Sequence, residues 1–157
     1  MSTRIHSACG AAALAVLVLC AGCERHKADS PAAAAPAAAA STSTVKALQK
    51  IDTVVGTGKT ATAGSRIVVN YTGWLYVPDA PQQHGAQFDS SVGRQPFSFR
   101  LGSGGVIPGW DQGVKGMKVG GKRTLVIPAA LAYGSDSVGP IPPNSDLVFD
   151  IELLGVE

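Results

Sequence analysis

Four stretches in the C-terminal two thirds of the chain have the residue pattern of β-strands. The clearest is 147–153, where Leu147, Phe149, Ile151 and Leu153 fall on one face. This alternation with period two is typical of a strand with one buried face. The other three stretches contain β-branched or aromatic residues and are flanked by Gly or Pro turn signals. The predicted strands cover residues 66–72, 97–101, 122–127 and 147–153.

One segment has helical rather than strand spacing. Trp110, Val114 and Met117 lie four and then three residues apart, which places them on one stripe of a helix. Pro108 suits the first turn of that helix, and the glycines at 120 and 121 end the pattern. Antiparallel strands with one short helix predict an α+β domain, in which a curved antiparallel sheet wraps around the helix.

Charge and residue usage exclude several classes of function. The 157 residues carry a formal net charge of +2, so we expect no field strong enough to attract nucleic acid. All three cysteines, at positions 9, 20 and 23, precede the domain-like sequence, which excludes a disulfide framework or cysteine-based zinc site there. His84 is the one histidine of that sequence, and we expect it in a solvated loop. No metal or cofactor is predicted.

The first 22 residues have the composition of a signal peptide. Arg4 supplies a positive charge, and residues 8–19 are almost wholly apolar but too few to span a bilayer comfortably. The next residues resemble a bacterial lipobox, in which the cysteine, here Cys23, is lipidated. Cys20 stands where such motifs usually have Leu, so a plain secretory signal is the alternative. By the same resemblance, Glu24 after the cysteine favours the outer membrane.

The segment after Cys23 predicts a tether. It consists mainly of Ala, Pro, Ser and Thr, and Pro31 and Pro36 interrupt its alanine runs. It has almost no large apolar side chains and cannot build a core. We therefore predict a signal peptide at 1–22, a lipidated cysteine and disordered tether at 23–46, and a folded domain at 47–157.

The domain concentrates aromatic side chains but lacks the groups that reactive sites need. Its motifs contain no nucleophile with a partner base, no metal cluster and no phosphate loop. A site made of rings acts through desolvation and shape, and rotation of the peptide bond before proline is one of few reactions that need only these. The alternatives are a core role for Trp110 and a turn-capping role for Asp89. The candidate rings are Tyr71, Phe88, Phe97, Trp110 and Tyr133.

Seven motifs, in family order from about residue 48 onward, resemble those of FKBP-type peptidyl-prolyl isomerases, the macrolide-binding immunophilins. A single motif would be unspecific, whereas the ordered set is specific. Seven extra residues within 77–86 depart from the family pattern. The motifs are VNYTG at 69–73, FDSS at 88–91, PFSF at 96–99, VIPGW at 106–110, AYG at 132–134, IPP at 141–143 and LVFDIELL at 147–154.

The resemblance implies a role for each matching residue. Trp110 is expected at the floor of a pocket, with Asp89 beside Tyr71 and Ile141 in an overhanging loop. The backbone N–H of Ile107 and the hydroxyl of Tyr133 are the expected hydrogen-bond donors to the substrate. Catalytic roles are thus expected for Tyr71, Phe88, Asp89, Ile107, Trp110 and Tyr133, and substrate-binding roles for Phe97, Val106, Ile141 and Phe149.

These implications give a prolyl isomerase that acts on X-Pro bonds of envelope proteins in the periplasm. Proline-containing polypeptides are the expected partners, and FKBP-directed macrolides are the expected inhibitors. The membrane contact would be the lipid on Cys23. The alternative is a non-catalytic chaperone or adaptor module that holds proline-containing peptides in the same pocket.

Overall fold

The computed structural model describes residues 43–157. The predicted signal peptide, Cys23 and most of the predicted tether lie outside these residues. Within them the chain forms six strands, one α-helix and two short 3-10 helices, Pro81–Gln83 and Ala129–Leu131. The strands and helix are β1 Gln49–Val54, β2 Arg66–Tyr76, β3 His84–Ser90, β4 Phe97–Arg100, α1 Pro108–Val114, β5 Lys122–Ile127 and β6 Leu147–Val156.

All the strands of the described region belong to one antiparallel sheet. Their order is β1-β5-β6-β2-β3, and β4 also pairs with β2. The long strand β2 therefore has β6 on one side, whereas β4 and β3 pair with its first and second halves on the other. An antiparallel sheet of six strands with one short helix confirms the predicted α+β class.

The core lies between one face of the sheet and α1. Alternate residues of β2 and β6 are buried there, with Ile67, Val69, Ile151 and Leu153 each at most 2% exposed. Each side chain buried in this way stabilises the fold by about 1.5–3 kcal/mol. The helix approaches β5 closely because it has glycine at the contact: a Cβ on Gly113 would lie 2.4 Å from a methyl of Leu125.

The predicted helical stripe is longer than the helix itself. Pro108 occupies the first turn as predicted, but α1 ends at Val114. Met117 is buried at 3% exposure, although it lies beyond the helix. The chain turns at Gly116, which has a φ of +84° that residues with side chains rarely adopt. Met117 thus reaches the core from a turn.

The expectation of a solvated loop position for His84 is wrong. His84 opens β3 opposite Tyr76. Its ring stacks on Trp74 with centroids 3.8 Å apart, and 16% of the side chain is exposed. The seven extra residues of this region lie at the tip of the hairpin formed by β2 and β3 and lengthen it. A hydrogen bond of 3.0 Å from the N–H of Val77 to the carbonyl of Gln83 closes that tip.

The folded domain begins before residue 47, contrary to the predicted boundary. Ser43, Thr44 and Val45 all donate hydrogen bonds to the carboxylate of Asp146. Val45 is only 7% exposed and packs on Val126. The last residues assigned to the tether are therefore part of the domain. Between residues 43 and 157, no helix is both long enough and apolar enough to cross a membrane.

Candidate active site

A cavity of about 200 Å³ opens beside the N-terminal end of α1. Its wall contains nine of the ten residues predicted for the site, and the tenth, Ile141, is absent from it. Their functional roles stay predictions, but the structure brings them into one place. The lining residues are Tyr71, Phe88, Asp89, Phe97, Gly105, Val106, Ile107, Trp110, Tyr133 and Phe149.

The floor of the cavity is the indole of Trp110, which other rings surround edge-on. The ring centroids of Tyr71, Phe149 and Phe97 lie 5.1, 5.3 and 5.9 Å from that of Trp110, at interplanar angles of 80–88°. Perpendicular contacts of this kind are favourable because the positive edge of one ring meets the negative face of another. Phe99 packs below at 5.5 Å. The indole is therefore fixed on several sides.

The sheet register brings the wall residues together. Phe97 of β4 lies opposite Val69 of β2, two residues before Tyr71. Gly73 of β2 lies opposite Phe149 of β6, and a Cβ at Gly73 would be 2.7 Å from both the Phe149 and the Phe88 ring. The missing side chain leaves room for those two rings to meet edge-on at 5.5 Å.

The floor offers little polarity. The indole N–H of Trp110 is buried and has no hydrogen-bond partner among residues 43–157. Buried polar groups usually have a partner, so this donor is an exception. A substrate ring placed on the indole would exchange water for an almost wholly apolar surface.

The rim carries a fully engaged carboxylate, Asp89. Its Oδ2 accepts a short hydrogen bond from the Tyr71 hydroxyl. Its Oδ1 accepts from Arg94 Nη2 at 2.7 Å and from the N–H of Ser90 at 2.8 Å. Asp89 thus joins the wall to the turn after β3, so the turn-capping alternative and the site position apply together.

These contacts fix the charge of the rim at neutral pH. The hydrogen bond from Tyr71 lowers the pKa of Asp89, and Arg94 and Ser90 add to this against the opposing effect of burial. Burial and the bond to Asp89 raise the pKa of Tyr71 to about 12. Asp89 therefore stays ionised and Tyr71 stays protonated, so near neutral pH the two groups do not act as a general acid and a general base.

Besides the Trp110 indole, Ile107 and Tyr133 carry hydrogen-bond donors at the cavity that have no protein acceptor within residues 43–157. The N–H of Ile107 has no backbone acceptor in the described region, whereas its carbonyl accepts from Trp110 at 2.9 Å at the start of α1. Tyr133 follows the 3-10 helix Ala129–Leu131. Burial, and then the charge of Asp89, raise the pKa of Tyr133. Its hydroxyl therefore keeps its proton and can donate it in a hydrogen bond.

Ile141 does not line the cavity, and its expected place in an overhanging loop and its role in substrate binding stay predictions. Its side chain is 4% exposed and belongs to the core. Two backbone hydrogen bonds with Val138, at 2.9 and 3.1 Å, close a tight turn between these residues. Val138, at 40% exposure, points outward from that turn. The side chain of Ile141 thus packs in the core, whereas that of Val138 is exposed.

Sequence reasoning missed Arg94 and Gly105 as site residues. Arg94 orients the carboxylate of Asp89, and its position five residues later in the same turn was the available signal. Gly105 lines the cavity with backbone alone. Across residues 43–157 no three His, Cys, Asp or Glu side chains are grouped as metal ligands would be.

Comparison with known proteins identifies the family. The model of the FKBP-type peptidyl-prolyl cis-trans isomerase family matches residues 57–154. This match covers more than half of the chain and includes every residue of the cavity wall. The chain belongs to the FKBP-type peptidyl-prolyl cis-trans isomerase family.

Similar proteins are found in fungi, plants and bacteria. The chain is 51% identical over 119 residues to FK506-binding protein 4 of Neurospora crassa, covering 74% of this chain but only 24% of that protein. It is 50% identical over 103 residues to an FK506-binding protein of Neisseria meningitidis serogroup B, covering 64% of this chain and 88% of that one. The crystal structure of FkpA from Escherichia coli has a TM-score of 0.60 at 49% identity, covering 70% of this chain and 48% of FkpA.

Proposed function

We propose that this protein is a peptidyl-prolyl cis-trans isomerase that accelerates rotation of X-Pro bonds in envelope proteins. The observation that carries the proposal is the cavity, in which rings surround a buried Trp110 and the one carboxylate is held by hydrogen bonds. Such a wall provides shape and exclusion of water without a reactive group.

Desolvation suits this reaction because of the electronic change during rotation. A peptide bond resists rotation by ~18–20 kcal/mol, since twisting it breaks the amide resonance. The twisted amide has less charge separation than the planar one, so transfer from water into an apolar cavity costs it less. A site that binds the twisted form more strongly than the planar form lowers the barrier. A reduction of about 5 kcal/mol corresponds to an acceleration of roughly 5,000-fold.

The substrate peptide would be oriented by two hydrogen-bond donors of the cavity. Ile107 and Tyr133 line the same cavity as Trp110, so the N–H of one and the hydroxyl of the other would be available to a peptide whose proline lies on the indole. Hydrogen bonds to the substrate carbonyls on either side would hold the peptide still while one bond turns. Asp89 keeps the Tyr71 ring in place and transfers no proton.

A protease-coupled assay on short X-Pro peptides tests the activity. The full chain carrying Cys23→Ser should raise the isomerisation rate above the uncatalysed rate, and an FKBP-directed macrolide should abolish the increase. A folded protein that binds the macrolide but gives no increase would instead support the non-catalytic chaperone or adaptor. A Trp110→Ala variant serves as the control for the cavity.

We further propose that a lipid on Cys23 anchors the protein at the periplasmic side of the outer membrane. Its support is the sequence around Cys23, which follows an apolar stretch and two small residues. Because one acyl chain binds a membrane only marginally, the modified residue should carry several chains.

Labelling with a radioactive fatty acid tests the anchor. Cys23→Ser should abolish the label and release the protein from membranes, whereas Cys20→Ser is the matched control and should retain both. Membrane association that survives Cys23→Ser would show that Cys23 is not the anchor. Release of wild-type protein in spheroplast supernatants would exclude anchoring altogether.

A further inference from the structure

Asp146 is a buried carboxylate, 4% exposed, that the proposed mechanism does not use. One oxygen accepts from the N–H groups of Thr44 and Val45 at 2.6 and 2.8 Å. The other accepts from the Ser43 hydroxyl at 2.6 Å and from the N–H of Ala129 at 2.9 Å. Burial acts to raise its pKa, but the hydrogen bonds outweigh it and hold the pKa of Asp146 below its usual value.

Ala129 connects this carboxylate to the rim of the cavity. Its carbonyl accepts from the N–H of Ala132 at 3.0 Å and from that of Gly134 at 2.8 Å, so these bonds enclose Tyr133. The carbonyl of Gly134 in turn accepts from the N–H of Asn144 at 2.7 Å. The turn that carries Tyr133 is thus held at both ends by the segment that precedes β6.

We propose that Asp146 is a positioning residue that holds the Tyr133 turn at the cavity while residues 43–45 fix its own orientation. Asp146 does not line the cavity and acts through Ala129. The proposal rests on the proposed isomerase function, because the Tyr133 hydroxyl matters only if it binds substrate.

Residues 43–45, which contact Asp146, lie outside the part of the chain that the family model matches. The family model begins at residue 57. They approach Asp146 from more than 100 positions away in sequence, at separations of 101 to 103. The predicted tether therefore ends in direct contact with a residue that braces the active-site loop.

The main test substitutes Asp146→Asn in the full chain. Asparagine keeps the shape but turns an NH₂ donor toward N–H groups that need an acceptor. We expect hydrogen exchange across residues 129–134 to accelerate at least tenfold, and kcat/KM for an X-Pro peptide to fall about two- to tenfold, the range of one neutral hydrogen bond. Asp150→Asn is the matched control. It sits four residues later, accepts from Thr124, and should change neither measurement.

A double-mutant cycle separates positioning from general stabilisation. In a Tyr133→Phe background the hydroxyl is gone, so Asp146→Asn should cause no further fall in kcat/KM. A further fall equal to that in wild type would overturn the proposal, and so would unchanged exchange at 129–134. A wild-type protein without isomerase activity would refute the proposed function, while the exchange measurement would still decide whether Asp146 holds the turn.

A second pair of variants keeps the test open if Asp146→Asn does not fold. Both Thr44→Pro and Thr44→Ala remove the Thr44 hydroxyl, which donates to Asp146 over a long 3.4 Å, but only Thr44→Pro also removes the N–H that donates at 2.6 Å. We expect Thr44→Pro to accelerate exchange at 129–134 and Thr44→Ala to leave it unchanged. Equal exchange in the two variants would show that residues 43–45 do not orient Asp146.

Discussion

The floor and the rim of the cavity differ in what holds them. Trp110 at the floor and Phe149 in the wall beside it are 4% and 3% exposed and are held by neighbouring rings. At the rim, the side chains of Asp89 and Arg94 are 44% and 65% exposed and are held by hydrogen bonds. The same cavity is thus part of the hydrophobic core on one side and part of the solvated surface on the other.

This difference implies that stability and substrate orientation can be changed separately. Removing a floor side chain leaves a void that neighbouring rings cannot fill, so it costs folding free energy. Removing a rim group leaves partners that water can reach, so it costs less folding free energy and acts mainly on the bound substrate. Substitutions at the floor and at the rim therefore test whether the floor determines stability and the rim determines substrate orientation.

The largest expected effect is the loss of stability in Phe149→Ala. Phe149 is 3% exposed and contacts the rings of Trp110, Tyr71 and Phe88. Its truncation should lower the free energy of unfolding by about 3–5 kcal/mol, measured by urea denaturation. Phe97→Ala is the matched control, because this ring lines the same cavity but is 39% exposed. Equal losses in the two variants would contradict the division.

Asp89→Ala should have an intermediate effect. It removes the partner of Tyr71 and Arg94, so the free energy of unfolding should fall by about 1–3 kcal/mol, less than for Phe149. The fall in kcat/KM should stay below about a hundredfold, since general acid–base catalysis typically contributes ~10²–10⁴-fold. Asp150→Ala, outside the cavity, is the control. A folded Asp89→Ala enzyme that loses about a thousandfold would refute catalysis by desolvation.

The floor and its sheet were predictable from sequence because their signals are local. Alternation identified β6, β-branched or aromatic residues between turn signals identified β2, β4 and β5, and the ordered motifs identified nine residues of the cavity wall. The strand β1 gave no signal because each of its residues is exposed, so no apolar periodicity distinguishes its faces. The strand β3 contains two small residues before Phe88 and depends on its pairing with β2.

The contacts that brace the rim could not be predicted in this way. The bonds from residues 43–45 to Asp146 join parts of the chain that only the completed fold brings together. The direction of Ile141 depends on a two-bond turn with Val138, and neither residue type specifies which of them points inward. Motif order gives residue identities, but the direction of a loop side chain follows from backbone contacts of the finished structure.

Acid should weaken the rim and leave the floor unchanged. The hydrogen bond from Tyr71, with those from Arg94 and Ser90, lowers the pKa of Asp89 in the folded protein. A lowered pKa stabilises the fold above the pKa of the unfolded chain, and that contribution is lost as the pH falls through the folded pKa. The stability difference between wild type and Asp89→Asn should therefore be constant near neutral pH and shrink as the pH falls below about 4, the pKa of an aspartate in an unfolded chain.

The matching measurement uses Phe149→Ala at the same pH values. Its stability difference from wild type arises from packing and should stay constant, because no charge on Phe149 titrates. Urea denaturation of the three proteins at each pH gives both differences. If the two differences shrink in parallel, acid acts on the whole fold, and the hydrogen bonds of Asp89 do not account for the loss.

The smallest expected effect is that of Tyr133→Phe, which removes one hydroxyl and keeps the ring. The free energy of unfolding should change by no more than about 0.5 kcal/mol, because the lost group faces the cavity and the ring packing remains. The loss in kcat/KM should correspond to about 0.5–1.5 kcal/mol, the range of one neutral hydrogen bond. Tyr76→Phe, at a ring that packs outside the cavity, is the control and should leave kcat/KM unchanged.

The kinetic constants of Tyr133→Phe show where the hydroxyl acts. If the variant lowers kcat and kcat/KM equally, the hydroxyl acts in the transition state; if it raises only KM, the hydroxyl binds planar and twisted peptides alike. An unchanged kcat/KM would mean that orientation comes from Ile107 alone, and the rim would then contribute to binding only through the shape of its rings.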